Sequence, residues 1–374
     1  MTPLGVTRTA KSLPWFVPLV SHYDTVAQLP FVVDSVGLER RARDTSSGFE
    51  RVTTTVHLRG DGFHGRGEDV SYDTEDHDAL YEDPSTSTEA VTFTELAGEW
   101  TFGEFSARLD EIDLFPTGGP ERPASRHYRR WGFESAALDL ALRAAETDLA
   151  AALGIDPAPV RFVASTRLGD PPTTDRVDAL ATRRPELSFK LDPTSDWTDT
   201  VIDGLPADRV RIVDFKGHYD GTVVDQEPDP DLYERVIEAF PEAVIEDPAL
   251  TPATESVLAA HHDRIAWDAP IESLADVRDL PFEPAWLNVK PSRFGSVESL
   301  FETLAWARDN DVSTYGGGQF ELGVGRRHLH ALAGLFYPTG PNDVAPAAFN
   351  LPTVPDRLPA SPLAPSSGRL GFDW

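Results

Sequence analysis

The chain contains no cysteine, and this absence excludes several kinds of site. Disulfides, thiolate metal sites and cysteine nucleophiles all require that side chain. Lysine is also scarce, and acidic residues outnumber basic ones 62 to 33, which gives a formal net charge of −29. A surface this negative argues against phosphate contacts with nucleic acid and against binding to anionic membranes. Acids spread along a whole chain suit solubility in concentrated salt, where screening weakens self-repulsion, so we expect a halophilic source.

Long apolar segments are absent as well. No stretch approaches the roughly 20 apolar residues that are needed to span a bilayer. The N-terminus lacks a basic segment followed by an apolar run, which is the pattern of a secretory signal. We therefore expect a cytoplasmic protein. Its 374 residues favour two domains, or a barrel with an added module.

The first part of the chain predicts a mixture of strands and helices. Residues 49–69 alternate apolar and polar side chains around Gly60-Asp61-Gly62, which is typical of a β-hairpin. Residues 72–92 are polar and acidic and predict a loop. Residues 134–153 carry alanine and leucine at helical spacing with Gly154 just after them, so they predict one long helix.

Beyond Pro159 the pattern changes to short apolar strands that alternate with helical segments, of which residues 231–240 and 297–310 are examples. Repeated units of this kind indicate a parallel sheet, and seven of them favour a closed barrel over an open sheet. The residues after Pro338 are rich in proline, alanine and serine and show no periodicity. The predicted strands are residues 160–165, 187–191, 210–213, 243–245, 264–267, 285–289 and 312–315.

Charged side chains stand at the ends of these strands, where a strand-helix barrel carries its reactive groups. Three successive strands end in Asp214, Glu246 and Asp268. Carboxylate oxygens are the ligands that Mg²⁺ prefers, so the three acids predict a magnesium site. Lys190 and Lys290 flank the acids in strand order. In a barrel they would face the metal from opposite sides.

This constellation resembles the enolase superfamily, and within it the branch of muconate cycloisomerases, o-succinylbenzoate synthases and dipeptide epimerases. The resemblance covers nearly the whole chain. RGDGFHGRGED, at residues 59–69, is similar to the hairpin of the family's N-terminal domain, and FESAALDLALRAA, at residues 133–145, is similar to its main helix. The segment YGGGQFELGVG, at residues 315–325, is similar to the glycine-rich loop after the seventh strand, with Glu321 at the acidic position.

In the barrel, the resemblance is carried residue by residue. Asp214, Glu246 and Asp268 match the three metal ligands, and Lys290 matches the lysine of the sixth strand. The resemblance implies an α/β fold: a modified (β/α)8 TIM-like barrel at residues 158–340 and an α+β capping domain at residues 1–157. Residues 341–374 would form a C-terminal segment that returns to the capping domain. Substrate specificity is expected from capping-domain loops within residues 14–45.

The second strand departs from the family pattern, which is Lys-x-Lys. Here SFKLDP stands in its place. Aligned on Pro193, Lys190 falls at the second lysine, which is the base, and Ser188 falls at the first. In the other register Lys190 is the first member and Asp192 the second.

The third strand departs as well, because Asp-x-Asn becomes Asp214-Phe215-Lys216. Lys216 would replace the missing first lysine or bind a substrate carboxylate. Ends of neighbouring barrel strands lie side by side, so we expect the charge of Lys216 to keep the pKa of Lys190 low.

The chemistry that the resemblance implies is Mg²⁺-dependent abstraction of a proton alpha to a carboxylate, through an enediolate, followed by cycloisomerisation, epimerisation or dehydration. Such a proton is weakly acidic, so the charge of the anion must be held by a cation already in place. The expected partner is a small-molecule carboxylate substrate and the expected assembly a homo-oligomer. The expected catalytic residues are Lys190, Lys290, Lys216 and Glu321, and the expected substrate contacts are Ser188, Asp192 and Gln319.

Simpler interpretations stand beside these. A single acid in so acidic a chain is most often a solvated surface charge, lysines at strand ends also form structural ion pairs, and Glu321 caps a helix or anchors the glycine loop equally well. An acid-sugar dehydratase would show a histidine base after the sixth or seventh strand, and none follows either strand here. The alternative outside catalysis is a degenerate barrel that serves as a binding or scaffold protein, because Lys-x-Lys is lost.

Overall fold

The computed structural model describes residues 21–82, 90–219 and 225–374. An N-terminal domain with antiparallel strands precedes a curled sheet of seven parallel strands, which confirms the predicted fold class. In the described part of the chain, no helix has the length and apolar character that crossing a bilayer requires.

Within its described residues, the N-terminal domain has two small antiparallel sheets and five α-helices. Strands β2, β3 and β4 form a meander, and β1 pairs with β5. Its strands are β1 (Pro30–Val33), β2 (Ser35–Asp44), β3 (Glu50–Gly60), β4 (Phe63–Asp69) and β5 (Gly98–Thr101). Its helices are α1 (His22–Ala27), α2 (Thr74–Asp78), α3 (Phe102–Leu109), α4 (Ser125–Ala144) and α5 (Leu149–Leu153).

The predicted hairpin is confirmed, since β3 and β4 pair across a two-residue turn at Asp61 and Gly62. Both turn residues have positive φ, 51° and 81°, and this conformation matches the twist of the strands on either side.

The long helix predicted at residues 134–153 is wrong in its bounds. Helix α4 begins earlier, at Ser125, in a stretch of arginine and histidine that shows no apolar face. This start was missed because charged side chains such as Arg129 are buried there by partners far along the chain. It ends at Ala144, and Glu146 takes a left-handed conformation before α5 begins.

Two predicted loops also differ from the structure. The loop predicted at residues 72–92 contains α2, and residues 83–89 lie outside the described residues. Of the segment 14–45, in which we expect specificity loops, residues 14–20 lie outside the described part and most of the remainder forms α1, β1 and β2.

The parallel sheet follows chain order from β6 to β12, and all seven predicted strands are present. Asn342 and Asp343 pair with both edges of this sheet, through Phe162 before β6 and Gly317 after β12, and so occupy the eighth position of the barrel. The strands are β6 (Val163–Thr166), β7 (Ser188–Leu191), β8 (Val210–Asp214), β9 (Val244–Glu246), β10 (Ile265–Trp267), β11 (Trp286–Val289) and β12 (Ser313–Gly316). The helices are α6 (Asp175–Arg183), α7 (Asp199–Asp203), α8 (Pro230–Ala239), α9 (Glu255–Leu258), α10 (Leu274–Arg278), α11 (Pro291–Phe294), α12 (Val297–Asp309) and α13 (Gly325–Phe336).

An apolar layer fills the lower part of the barrel interior. It consists of Val163, Ile212, Val244, Ala266 and Tyr315, with Trp286 against them. Side chains alternate faces along a strand, so the residue two positions later also points inward, one layer nearer the C-terminal mouth. That second layer consists of Ser165, Lys190, Asp214, Glu246, Asp268 and Asn288.

The end of the chain packs between the two domains. Phe372 stacks on His328 of α13 with ring centroids 4.2 Å apart, and its amide donates to Asp139 of α4 at 2.8 Å. The last residues therefore contact both the final barrel helix and the main helix of the N-terminal domain.

Glycines bring β4 and α4 into backbone contact. A Cβ atom on Gly67 would lie 2.0 Å from the carbonyl oxygen of Gly132, and one on Gly65 would lie 2.3 Å from that of Ala136. The hairpin that carries Glu68 and Asp69 is thus held directly on the helix, without intervening side chains.

We expect Gly67→Ala to lower the free energy of unfolding by at least about 2 kcal/mol, because overpacking against backbone forces the helix and strand apart. Urea unfolding in high salt measures the change. Gly119→Ala is the matched control, since nothing lies within 4 Å of the added methyl group, and it should change stability by less than about 0.5 kcal/mol. Equal effects of the two substitutions would contradict the close packing.

Candidate active site

Three of the four lysines of the chain meet at the mouth of the barrel. Lys190 lies on β7, Lys216 follows β8 and Lys290 follows β11. All other basic side chains of the described residues are arginines or histidines. The described lysines are therefore confined to the place where the three strand-end carboxylates converge.

Lys190 lies between two of these carboxylates. Its Nζ is 2.5 Å from Oε1 of Glu246, 2.9 Å from Oδ2 of Asp214 and 3.4 Å from Oδ2 of Asp343. The side chain is only 3% exposed. Burial opposes the charged form, but Asp214 and Glu246 outweigh this cost and raise the pKa of Lys190 well above its usual value.

Lys216 binds the same carboxylate from the mouth side. Its ammonium group contacts Oδ2 of Asp214, the oxygen that Lys190 also contacts, and it lies 3.9 Å from Oδ1 of Asp192. Lys216 has a left-handed backbone with φ of 56°, which costs a side-chain-bearing residue roughly 1–2 kcal/mol. Strain of this kind persists where the surrounding structure enforces it, often at functional sites.

The prediction that Lys216 keeps the pKa of Lys190 low is therefore wrong. The two ammonium groups are neighbours, as predicted, because both bind Asp214. The pKa of Lys190 is nevertheless raised rather than lowered, because the buried carboxylates around it have a larger effect than the second lysine.

Glu246 accepts hydrogen bonds from three sides. Besides Lys190, Nδ2 of Asn288 donates to its Oε1 at 3.1 Å and the hydroxyl of Tyr315 donates to its Oε2 at 2.6 Å. Burial and the nearby charge of Asp214 nevertheless raise the pKa of Glu246 to about 8.

Asp268 is held by a second pair of cations. Its Oδ2 is 2.7 Å from Nζ of Lys290, and its Oδ1 accepts from Arg293 at 2.9 Å. The hydroxyl of Tyr219 also donates to Oδ2, at 2.9 Å. Burial opposes ionisation, but Arg293 and Lys290 outweigh it and hold the pKa of Asp268 well below its usual range.

Asp247, directly after Glu246, ties two strand ends together. With a left-handed φ of 44° it accepts the backbone amides of Asp268 and Ala269, both at 2.8 Å. Burial, together with the charges of Asp268 and Asp214, raises its pKa to about 7. Asp247 thus adds a fourth fully buried carboxylate beside Asp214, Glu246 and Asp268.

The predicted substrate contacts on and after β7, Ser188 and Asp192, lie at different depths in the barrel. Ser188 lies on β7 one layer below Lys190 and is half-buried. Asp192 lies one layer nearer the mouth, where Arg167 binds its Oδ2 at 3.2 Å. Its Oδ1 is buried without a hydrogen-bond partner among the described residues.

The glycine-rich loop carries Gln319 and Glu321 beside the lysine cluster. The hydroxyl of Tyr72 donates to Oε1 of Gln319 at 2.7 Å, and Nε2 of Gln319 donates to the hydroxyl of Tyr128 at 3.3 Å. Glu321 accepts the amide of Gln319 at 2.7 Å and pairs with Arg326 at 3.2 Å. Its contacts among the described residues are those of a loop anchor, and none of them is with a lysine of the site.

The N-terminal domain fixes this loop. Glu68, fully buried, accepts the amides of Leu322, Gly323 and Gly325 at 2.7 to 3.0 Å. Arg51 donates to the carbonyl of Gln319 at 3.1 Å. The capping domain therefore determines where the Gln319 amide points.

Several residues of the cluster were missed from the sequence. Asn288 and Tyr315 belong to strands that were predicted, but their inward direction becomes clear only once the barrel register is known. Arg293 could have been found from the sequence, because it lies three residues after Lys290, in the short helix α11 that follows the strand end. Asp343 comes from a segment without periodicity and has no sequence signal.

The residues suit a divalent cation in type and in charge. Asp214, Glu246 and Asp268 are fully buried and offer the hard oxygen donors that divalent cations prefer. In the described ranges, however, no three histidine or acidic side chains converge on one position, since the carboxylate oxygens are turned to lysine and arginine. For an ion to bind there, Asp214 would have to exchange a lysine contact for the ion.

The fold is that of the enolase superfamily, as solved structures show. An enolase superfamily member of unknown function from Enterococcus faecalis V583 is 19% identical, with a TM-score of 0.59 over 86% of this chain and 88% of that chain. A probable mandelate racemase from Alicyclobacillus acidocaldarius is 19% identical, with a TM-score of 0.56 over 86% of each chain. Muconate cycloisomerase from Pseudomonas fluorescens is 17% identical, with a TM-score of 0.56 over 84% and 87%. The predicted resemblance is thereby confirmed for the fold.

Within this fold class the chain belongs to the DUF8230 family. Residues 24–152 match its N-terminal domain and residues 156–351 its C-terminal domain, both described as domains of unknown function. No curated protein matches the sequence.

Above pH 8, where Glu246 with its pKa of about 8 is ionised, we expect Tyr315→Phe to lower the free energy of unfolding by about 1.5–3 kcal/mol, the usual value of a hydrogen bond to a charged group. The phenyl ring keeps the packing, and Glu246 keeps its contacts with Lys190 and Asn288. Urea unfolding should show a lower midpoint with an unchanged dependence on denaturant. An unchanged midpoint would mean that the hydroxyl does not stabilise Glu246.

Proposed function

We propose that the protein catalyses Mg²⁺-assisted removal of a proton alpha to a carboxylate, followed by cycloisomerisation, epimerisation or dehydration of the acid. The observation that carries this proposal is the convergence of three of the four lysines with three strand-end carboxylates at the mouth of an enolase-type barrel. A general structural role would be served as well by arginine, which the chain uses elsewhere. Lysine differs from arginine in that its ammonium group can lose a proton within a protein.

Asp214, Glu246 and Asp268 are the residues that would hold Mg²⁺. When bound, the ion supplies positive charge that stabilises an enediolate. The donor set supports this assignment because it offers three buried carboxylates at the ends of successive strands.

Lys190 and Lys290 are the proposed proton-transfer residues. Lys190 contacts the carboxylates of β8 and β9, whereas Lys290 contacts that of β10, so the two ammonium groups reach the cluster from different strands on either side. One of them, as the neutral amine, would take the alpha proton, and the other would return a proton or stabilise the anion. For Lys190 to act as that amine, the ion would have to offset the charges of Asp214 and Glu246, which raise its pKa. A carboxylate substrate would bind Lys216, with Ser188, Asp192 and Gln319 as further contacts and Glu321 as a further catalytic candidate.

The names of two solved neighbours fit this class of reaction. One is a muconate cycloisomerase and another a probable mandelate racemase, and both names refer to carboxylic acids. The cytoplasmic location, the halophilic source, the homo-oligomer and the specificity loops within residues 14–45 stay predictions from the sequence.

A second candidate function is a barrel that binds or scaffolds without catalysis. The observation that favours it is that lysine and arginine side chains already pair with Asp214 and Asp268, and that Lys190 and Lys290 are buried in these ion pairs. The two functions differ in one measurable property, which is proton exchange on a carboxylic acid.

For the metal, we expect Mg²⁺ to bind the purified protein and Asp268→Asn to abolish tight binding, since the ion needs both the charge and the geometry of its ligands. Titration calorimetry in high salt measures the affinity. Asp263→Asn, before the opposite end of the same strand, removes an equal charge and should leave affinity unchanged. Equal affinity of the wild type and Asp268→Asn would refute the assignment.

For the chemistry, we expect the protein with Mg²⁺ to exchange the alpha proton of at least one acid in a carboxylate library for solvent deuterium, detected by mass spectrometry. Lys290→Met should slow exchange by about 10² to 10⁴, the range of a positioned acid or base. Lys290→Arg is the decisive comparison, because arginine keeps the charge beside Asp268 but does not give up its proton.

A structural ion pair would let Lys290→Arg retain wild-type exchange, whereas proton transfer would not. If no acid exchanges with the wild-type protein although Mg²⁺ binds, catalysis must be withdrawn in favour of the binding or scaffold function.

A further inference from the structure

Lys190 and Lys216 share a single oxygen atom. Both ammonium groups contact Oδ2 of Asp214. Lys190 also pairs with Glu246, since its Nζ lies 2.5 Å from Oε1, and this second ion pair holds it at the centre of the cluster. Lys216 has no second carboxylate within hydrogen-bond distance in the described residues, and its next acid is Asp192 at 3.9 Å.

The backbone directs Lys216 toward Asp214. The amide of Phe215 donates to the carbonyl of Glu246 at 3.0 Å, and the amide of Gly217 donates to that of Asp247 at 2.8 Å. Gly217 is itself packed against Ala249, because an added Cβ would lie 2.2 Å from the Ala249 nitrogen. Residues on both sides of Lys216 are thus fixed to the next strand, and the left-handed conformation between them is enforced.

A second position for the ammonium group lies close by. Oδ1 of Asp192 is buried and has no hydrogen-bond partner among the described residues. It is 3.9 Å from Nζ of Lys216, so rotation of the flexible side chain would bring the two into contact. An unpartnered buried carboxylate oxygen is costly and attracts a donor.

We propose that Lys216 is a tethered competitor of the divalent cation: its ammonium group occupies Asp214 until the ion binds and then moves to Asp192. The inference rests on the proposed function, because it takes Asp214 as a metal ligand. It makes Lys216 a determinant of metal affinity. It also implies that the ion binds before the substrate. Lys216 leaves Asp214 only when the ion binds, and only then can it contact a substrate carboxylate.

The test is titration calorimetry of Mg²⁺, and separately Mn²⁺, with four proteins. Lys216→Gln removes the competitor and should tighten binding by about tenfold, within the usual range of coupling between two binding events. Lys216→Arg keeps a cation near Asp214 and should bind no more tightly than the wild type. Arg209→Gln, just before β8 at the end opposite Asp214, removes an equal charge and should change affinity by less than about twofold.

The outcomes separate this inference from the proposed function. Tighter binding by Lys216→Gln alone supports the competition. Equal affinities of all four proteins overturn the competition and leave the metal site standing. Equal tightening by Lys216→Gln and Arg209→Gln also overturns it, because net charge would then explain the result. Circular dichroism spectra show which of the proteins are folded. If none of the folded proteins binds either ion, both the metal site and this inference are refuted.

Discussion

The buried ion pairs around Asp214 are the interaction on which the rest of the barrel mouth depends. Three strands contribute to them directly, β7 through Lys190, β8 through Asp214 and β9 through Glu246. Removing charges from water is expensive, and only close pairing offsets the cost. Pairs of this kind seldom add net stability, but breaking one partner away leaves an uncompensated charge and is strongly destabilising. The neighbouring strand ends are therefore constrained to remain in register.

The N-terminal domain extends this constraint. Glu68 accepts the backbone amides of Leu322, Gly323 and Gly325 at the end of the glycine-rich loop, and Arg51 binds the carbonyl of Gln319. Both side chains come from the hairpin strands β3 and β4, which lie against α4 through glycine contacts. Burial and the nearby charge of Glu321 raise the pKa of Glu68. The domain acts as a rigid support for one wall of the barrel mouth, in addition to covering it.

The sequence predicted the barrel well because its strands are short apolar runs that end in charge, a pattern that owes little to distant partners. The same reasoning located Lys190, Asp214, Glu246, Asp268 and Lys290, which the structure brings together. It did not predict that lysines bind the acids directly, since distances between strands do not follow from spacing along the chain. It misplaced the start of α4, because Arg129 is buried with partners that are distant in sequence, among them Asp69, sixty residues away. Asp343 was beyond prediction for a similar reason, as its position depends on two strand edges that are remote in sequence.

The closing position of the barrel has a consequence for biosynthesis. Asn342 and Asp343 join the first strand of the barrel to the last, and Asp343 also lies 3.4 Å from Lys190. A ribosome adds these two residues after every other barrel strand has been made. The nascent barrel must therefore wait as an open sheet with two unpaired edges, and such edges invite pairing with other chains.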